Sequence, residues 1–436
     1  MDPDGVRALD EVPLTTKENY HTRYPLPQRC RDGRLESCDT IAVSSGSSGK
    51  PTYWPRTAAD EQAATARFEQ IFRDAFGARD RPTLAVICFP LGTWVGGLYT
   101  TSCCERLADR GYPITVIAPG NEKEEILRVV PELAPFFAQT VLLGYPPFLK
   151  DVIDTGLARG VDWAPMSIRL VMAGEVFSEQ WRDLVGARAG MTRPAFDSAA
   201  LYGTADAGVL GNETPLSITI RRLLSADRPA AEALTGQRRL PTLVQYDPAA
   251  RFFETLDDGT LLFSADGGVP LVRYHIADEG GVIGHEEMLS FCADHGFDLG
   301  VEGPSLPFVF VFGRTRFAVS FFGANVYPEN VAAGLEQPEV CDWVTGKFVL
   351  EVAEDADRNR HLAVAVELAP GEDGDAARAS LAAGAILGQL RRLNSEFAHY
   401  VPAGYQQPRV TLLPAGDPDY FPRGVKHRYT RGTVSG

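Results

Sequence analysis

The sequence has no excess of basic residues, the composition that nucleic-acid binding usually requires. Its 42 lysines and arginines stand against 57 aspartates and glutamates, so the formal net charge is −15. A protein that contacts a phosphate backbone usually presents a basic face. The charge balance therefore argues against nucleic acid as a partner and favours solubility.

The sequence also lacks an unbroken hydrophobic run. The longest uncharged stretch covers residues 82–104, which is long enough to cross a bilayer. Pro90, Gly92, Gly96 and Gly97 interrupt it, which favours a strand, a glycine loop and a buried helix instead. No basic-then-apolar leader opens the chain, and we therefore expect a cytoplasmic protein with no membrane partner.

Paired Cys-x-x-Cys spacing is missing among the seven cysteines. An odd number of cysteines without such pairs predicts reduced, mostly buried thiols. Cys30 and Cys38 lie eight residues apart, so a zinc site that uses both stays open, although no second ligand pair stands out.

What is present is an alternation of apolar strands and helical patterns from Thr83 to Ala187, which predicts a parallel sheet covered by helices. From about Leu216 consecutive strands follow, with a tight hairpin at Asp258-Gly259. At 436 residues the chain exceeds one ordinary core. We expect an α/β fold with a large N-terminal domain of helix-covered sheets over 1–313, which includes a β subdomain over about 216–313. A small α+β C-terminal domain over 314–436 contains a long helix over Ala376–Tyr400.

A loop of small residues after the predicted strand Thr40–Val43 stands out. Backbone N–H groups in such a loop can approach phosphate oxygens closely, while hydroxyls and a lysine add donors and positive charge. The loop is Ser44, Ser45, Gly46, Ser47, Ser48, Gly49 and Lys50. It is not a Walker A loop, because Pro51 takes the place of the metal-binding hydroxyl, and it lacks the third glycine of a Rossmann turn. A flexible Ser/Gly linker is the alternative.

Several further segments carry weaker signals. Tyr202 and Gly203 follow a predicted strand over Phe196–Leu201, where a ring can lie on a flat base or pack into the core. Asp278 offers two acceptor oxygens but also suits a surface turn. Lys426 lies in a basic stretch that by default is a solvated tail.

Taken together and in this order, the motifs resemble those of the adenylate-forming ligases, the superfamily of acyl-CoA synthetases, peptide-synthetase adenylation domains and luciferase. The Ser/Gly loop looks most like that of the phenylacetate-CoA ligase branch, as does Leu14–Glu18, where Thr15 and Glu18 are spaced as a capping box. The matching segments are Ser44–Thr52, Ala173–Glu175, Tyr202–Asp206, Arg273–Gly280, Gly313–Glu329 and Pro422–Arg428.

The resemblance implies a role for each segment in binding ATP. The loop holds the β- and γ-phosphates, and the Tyr202 ring contacts adenine. In the family, the hydroxyl residue at the position of Ala205 contacts the α-phosphate. Asp278 and Arg314 contact the ribose. Further nucleotide contacts are implied for Ala173, Gly174, Glu175, Gly203 and Thr204.

The resemblance also implies the catalytic parts. Asp206 helps to hold Mg²⁺, and Lys426, delivered by a mobile C-terminal domain, bridges the acyl carboxylate and the α-phosphate. The sequence departs from the family pattern at Ala205, which lacks a hydroxyl, and at Asp206, which replaces Glu. It departs again in the hinge, where two acidic residues are replaced by Arg316 and Phe317.

The resemblance predicts an ATP-dependent ligase that activates a carboxylic, usually aryl, acid as acyl-AMP and passes it to coenzyme A. Three alternatives stay open: transfer to an amine or a carrier protein, activation of nitrite to diazotise an aryl amine, and a nucleotide-binding regulator without chemistry. A homodimer is possible. The residues proposed to wall the acid pocket, which could equally be core, are Phe89, Trp94, Gly96, Gly97, Tyr145 and Phe148.

Overall fold

The computed structural model describes most of the chain. The described residues are 8–44, 52–93, 95–174, 176–314, 319–321, 324–354, 360–394, 397–398, 401, 403–422, 427 and 429–430. They fall into two compact units. The first comprises Met1–Tyr145, Asp162–Glu175 and Ala189–Arg314; the second comprises Pro146–Val161, Val176–Arg188 and Thr315–Gly436. The domain division at 313/314 stays a prediction.

An eleven-stranded mixed sheet forms the first unit, and a separate two-stranded hairpin precedes it in the chain. The hairpin strands are β1 (Thr40–Ser44) and β2 (Thr52–Arg56). The strands of the sheet are β3 (Thr83–Ile87), β4 (Ile114–Ile117), β5 (Gln139–Gly144), β6 (Ile168–Ala173), β7 (Ser198–Thr204), β8 (Gly208–Asn212), β9 (Thr242–Gln245), β10 (Phe252–Thr255), β11 (Thr260–Ala265), β12 (Leu271–Ile283) and β13 (Phe308–Arg314).

The sheet order is β10-β11-β12-β13-β9-β8-β7-β6-β5-β3-β4. Strands β3 to β7 are parallel, as the alternating pattern predicts, and the pairings from β7 to β10 are antiparallel. The strands expected in a β subdomain therefore continue the same sheet. The helices of this unit are α1 (Leu26–Arg29), α2 (Ala58–Gln70), α3 (Val95–Asp109), α4 (Lys123–Leu133), α7 (Pro194–Asp197), α8 (Pro215–Ala226), α9 (Arg228–Thr235) and α10 (His285–Asp294).

The second unit contains a three-stranded sheet, a short hairpin and four helices among its described residues. Its strands are β14 (Val319–Phe321), β15 (Ala324–Val326), β16 (Val344–Glu354), β17 (Arg360–Leu368) and β18 (Arg409–Leu413). Its helices are α5 (Pro146–Ala158), α6 (Glu179–Arg188), α11 (Pro328–Leu335) and α12 (Ala376–Leu393). Helices α11 and α12 pack so closely that a Cβ on Gly334 would lie 2.5 Å from the Ile386 Cα. Buried Ile386 and Leu390 of α12 join the core of this unit, as their helical spacing predicts.

Three predicted boundaries are wrong, each for a local reason. The predicted strand over 196–201 begins two residues later, because the Asp197 carboxylate accepts from the amides of Thr192 and Arg193 and closes a helical turn. The helix predicted to reach Tyr400 ends at Leu393, since Asn394 is extended. Near the N-terminus the cap is Thr16, paired with Asn19, and not Thr15 with Glu18.

Within the part of the chain that the structure describes, no helix combines the length and apolar character that crossing a membrane requires.

Candidate active site

Two of the predicted nucleotide segments meet at the carboxyl ends of neighbouring parallel strands. Strand β6 ends at Ala173, which pairs in register with Leu201 of β7, so Gly174 follows beside Tyr202. Gly174 adopts a left-handed backbone (φ 81°) that takes the chain out of the sheet. The carboxyl edge of a parallel sheet is the usual place for a ligand in α/β folds. Glu175 lies outside the described residues.

Two tyrosines and two aspartates form a crossed pair of hydrogen bonds between β12 and the β7 end of the sheet. The Tyr202 hydroxyl donates to Asp278 Oδ2 (2.7 Å), and the Tyr274 hydroxyl donates to Asp206 Oδ2 (2.6 Å). Each segment therefore supplies a donor to the carboxylate of the other. Both segments read Tyr-x-x-Ala-Asp. This shared spacing is the signal that could have identified Tyr274, which the sequence analysis missed.

The turn that carries Asp206 is fixed through its backbone as well. Arg56 donates from Nη2 to the Ala205 carbonyl (2.5 Å) and from Nη1 to the Asp206 carbonyl (3.0 Å). Arg251 Nη2 donates to the next carbonyl, Ala207 (3.1 Å). The Thr204 hydroxyl accepts from the Ala207 amide (3.1 Å), so it closes the turn. Neither arginine was predicted from the sequence.

The Ser/Gly loop joins the two strands of the β1–β2 hairpin. Ser44 pairs with Thr52 across its base, while residues 45–50 lie outside the described residues. The same strand β2 that leaves the loop ends at Arg56, the residue that holds the Asp206 turn. The hairpin that carries the predicted phosphate loop is therefore hydrogen-bonded to the turn that contains Asp206, the predicted metal ligand.

Behind β12 lies a buried aromatic and cationic group. The His21 ring meets Trp54 and Tyr274 edge-on, with centroids 4.5 Å and 5.5 Å away. Its Nδ1 is 2.7 Å from Arg29 Nη1, so His21 is a neutral acceptor. Burial, together with the Arg29 charge, lowers the pKa of His21 to about 3. The N-terminal segment also pairs with β12, since the amide of His275 donates to the Thr15 carbonyl (2.8 Å).

The two residues predicted to contact the ribose lie on adjacent strands. Asp278 of β12 is buried at 5% exposure, and its Cα pairs in register with Arg314 of β13. Ala277, just before it, adopts φ 59°, a left-handed conformation that is rare for a residue with a side chain. The side chain of Arg314 is not among the described features. The predicted catalytic Lys426 and the hinge residues Arg316 and Phe317 also lie outside the described residues.

The proposed acid-pocket residues are divided in the structure. Phe89 is buried in the core of the first unit and meets the Tyr145 ring edge-on (5.0 Å). A Cβ on Gly96 would lie 3.4 Å from the Phe89 ring. A Cβ on Gly97 would overlap the Pro90 carbonyl oxygen, and one on Gly203, predicted to contact the nucleotide, would lie 2.6 Å from the Gly208 carbonyl oxygen. Phe148 belongs to the second unit, and Trp94 lies outside the described residues.

The Cys30 thiol donates to the Leu26 carbonyl (3.3 Å), and the Cys38 thiol lies close to it. Burial, with the Cys38 thiol beside it, raises the pKa of Cys30 to about 11, which opposes thiolate formation. Within the described ranges, no three His, Cys, Asp or Glu residues cluster as a metal site would require. A zinc ion on these two cysteines therefore finds no third protein ligand among the described residues.

Comparison with known proteins places the fold. No family model and no curated protein matches the sequence. Among solved structures, the chain is similar to a 2-hydroxyisobutyryl-CoA ligase, which was solved in the postadenylation state in complex with R3-HIB-AMP. The TM-score is 0.64 and the sequence identity is 13%, and the match covers 97% of this chain and 78% of the ligase. This protein shares the fold of that CoA ligase. The anthranilate CoA ligase AuaEII, in complex with anthranoyl-AMP, gives 0.53 at 14% identity over 88% of this chain and 64% of its own.

Proposed function

We propose that this protein is an ATP-dependent adenylating ligase of the phenylacetate-CoA ligase-like branch, which activates an aryl carboxylic acid. The observation that carries the proposal is the crossed hydrogen-bond pair, Tyr202 to Asp278 and Tyr274 to Asp206. It brings together the segments that the resemblance assigns to adenine, ribose and metal. The fold shared with a CoA ligase is consistent with it.

In the proposed reaction, a carboxylate oxygen of the acid attacks the α-phosphorus of ATP. The bond from the α-phosphorus to the bridging oxygen breaks, and pyrophosphate leaves with that electron pair. Positioning and electrostatic stabilisation supply most of the rate enhancement for such a transfer. Asp278 and Tyr202 orient the nucleoside, the Ser44–Lys50 loop binds the β- and γ-phosphates, and the Lys426 ammonium offsets the repulsion between the two reacting anions.

The Asp206 carboxylate fits a hard cation such as Mg²⁺. It is partly exposed at the end of its turn, and its oxygens are the ligand type that Mg²⁺ prefers. Mg²⁺ is commonly held by one or two carboxylates together with substrate phosphates, which agrees with a single protein carboxylate at this turn. When bound, the cation would neutralise phosphate charge, while Asp206 sets its place relative to the nucleotide.

For the second step we propose coenzyme A as the acceptor. Its thiolate attacks the acyl carbon, and AMP leaves as the acyl–phosphate bond breaks. Both solved ligases named above are CoA ligases, and the one in complex with anthranoyl-AMP carries an aryl acyl group. Transfer to an amine or a carrier protein, activation of nitrite and a non-catalytic nucleotide-binding role are retained as outcomes of the test.

The test is ATP–pyrophosphate exchange with labelled pyrophosphate and a panel of aryl and short-chain acids. Acid-dependent exchange, followed by an acyl-CoA product when coenzyme A is added, is the expected result. Exchange without an acyl-CoA product would indicate that the acceptor is an amine or a carrier protein. Label exchange only with nitrite and an aryl amine would indicate diazotisation. ATP binding without any exchange would contradict the ligase proposal and favour a regulator.

A further inference from the structure

The turn Thr204–Ala207 holds a shorter acid than the family pattern has. Asp206 replaces a glutamate, so its carboxylate reaches one methylene less far from the backbone. A shorter ligand arm tolerates less movement of its backbone, because metal–oxygen distances are confined to a narrow range. The supports of this turn therefore matter more than they would beneath a longer side chain.

Tyr274 supports the carboxylate itself. Its side chain is fully buried and its hydroxyl donates to Asp206 Oδ2 at 2.6 Å. The ring is clamped by edge-on contacts with His21 and Phe263 (5.5 Å and 5.6 Å). A rigid donor to one carboxylate oxygen sets the direction in which the carboxylate faces. Hydrogen-bond partners behind a metal ligand commonly act in this way.

Arg56 supports the backbone of the same turn. It is 4% exposed and donates to two successive carbonyls, those of Ala205 and Asp206. Arg251, equally buried, holds the third carbonyl, that of Ala207. Within the described part of the chain neither guanidinium forms an ion pair with a carboxylate.

We propose that Tyr274 and Arg56 are positioning residues, which fix the carboxylate and the backbone of the Asp206 turn so that Asp206 meets the divalent cation bound with ATP. This inference rests on the proposed function. Arg56 is also the last residue of β2, the strand that follows the Ser/Gly loop in the chain.

The experiment measures Mn²⁺ binding directly, from the loss of the free Mn²⁺ electron paramagnetic resonance signal, with the full chain and a non-hydrolysable ATP analogue. Tyr274→Phe removes only the hydroxyl, and Arg56→Lys keeps the charge but loses the two-pronged donation. Each is expected to weaken Mn²⁺ binding about 10-fold, the size of effect typical of groups behind a metal ligand. Analogue binding without metal should change little, while the loss of a buried hydrogen bond should lower the melting temperature modestly.

The matched control is Tyr112→Phe, which removes a tyrosine–carboxylate hydrogen bond (to Glu69, 3.0 Å) elsewhere in the same unit. It should leave Mn²⁺ binding unchanged. Wild-type-like Mn²⁺ binding in both Tyr274→Phe and Arg56→Lys, with the parent protein active in pyrophosphate exchange, would overturn the inference alone. Failure of the parent protein to bind Mn²⁺ with the analogue or to exchange pyrophosphate would overturn the proposed function with it.

Discussion

Asp206 and Asp278 are held by the same chemistry in different surroundings. Each accepts from a tyrosine four residues upstream of the other, at 2.6 Å and 2.7 Å. Asp278 sits within a strand and is 5% exposed, whereas Asp206 ends a turn and is partly exposed. A carboxylate inside a sheet suits a fixed, uncharged partner such as a ribose. One on a turn stays accessible to a cation that arrives with its substrate.

The supports of the two carboxylates differ as well. Around Asp278 the register of β12 shifts against both neighbouring strands, and the residue before it takes a left-handed conformation. Around Asp206 two buried arginines hold three carbonyls in a row. Local backbone geometry therefore directs one aspartate and long-range side chains direct the other.

The largest effect is expected from a change at Lys426, which should slow the chemical step far more than it weakens ATP binding. Lys426→Ala should lower the rate of acid-dependent pyrophosphate exchange about 100- to 1,000-fold, because a cation aimed at developing charge is lost. ATP binding, which depends on the two aspartates, should change much less. Parallel exchange assays and calorimetric ATP titration measure the two quantities. Equal losses in both would contradict the role assigned to Lys426.

The next effect tests the division of labour between the aspartates. Asp278→Ala should weaken ATP binding without metal about 10- to 100-fold, since two hydrogen bonds to a charged acceptor disappear. Asp206→Ala should leave metal-free binding nearly intact and raise the Mg²⁺ concentration needed for exchange. Titration calorimetry with and without Mg²⁺ distinguishes them. If both variants lost metal-free affinity alike, the ribose and metal roles would not be separate.

Lowering the pH should reduce the stability of the folded protein through His21, whose ring contacts the tyrosine that hydrogen-bonds to Asp206. The folded pKa of about 3 lies below the ordinary value of 6.5, so the unfolded chain takes up a proton first as the pH falls. Stability is therefore lost below pH 6.5 and down towards pH 3, by about 2 kcal/mol between pH 7 and pH 5. Urea unfolding at both pH values measures it. His21→Gln keeps an acceptor for Arg29 and should flatten this dependence; an unchanged slope would exclude His21 as its source.

The smallest effect concerns the hydroxyl that supports Asp278. Tyr202→Phe keeps the ring, which stacks on Phe253 (6.4 Å), and removes the bond to Asp278. ATP binding should weaken only about threefold, because water can replace the donor at this partly exposed position. The Mn²⁺ affinity should stay at the parent value, in contrast to Tyr274→Phe. A larger metal defect in Tyr202→Phe would show that the crossed pair acts as one unit.

The alternation of strands and helices, the hairpin at Asp258-Gly259 and the helical core stripe of α12 follow from local pattern and were predictable. Periodicity reports which face of an element is buried, and turn residues report where it ends. The errors at 196–197 and at 394 arise where a side chain, Asp197 or Asn394, competes with the regular backbone bonds. Whether a side chain competes in this way depends on which backbone groups the fold places beside it, and the secondary-structure propensity of a residue carries no such information.

By itself the sequence determined the α/β class, the order of the strands along the chain and the two aspartates as candidates, because each depends on residues close in the chain. Only the tertiary structure decided that the Tyr274 hydroxyl donates to Asp206, that the Tyr202 hydroxyl donates to Asp278 and that Arg56 joins the β1–β2 hairpin to the Asp206 turn. These contacts join residues 68, 76 and 150 positions apart. Hydrogen bonds reach only about 3 Å, so partners this distant in sequence are chosen by how the strands assemble.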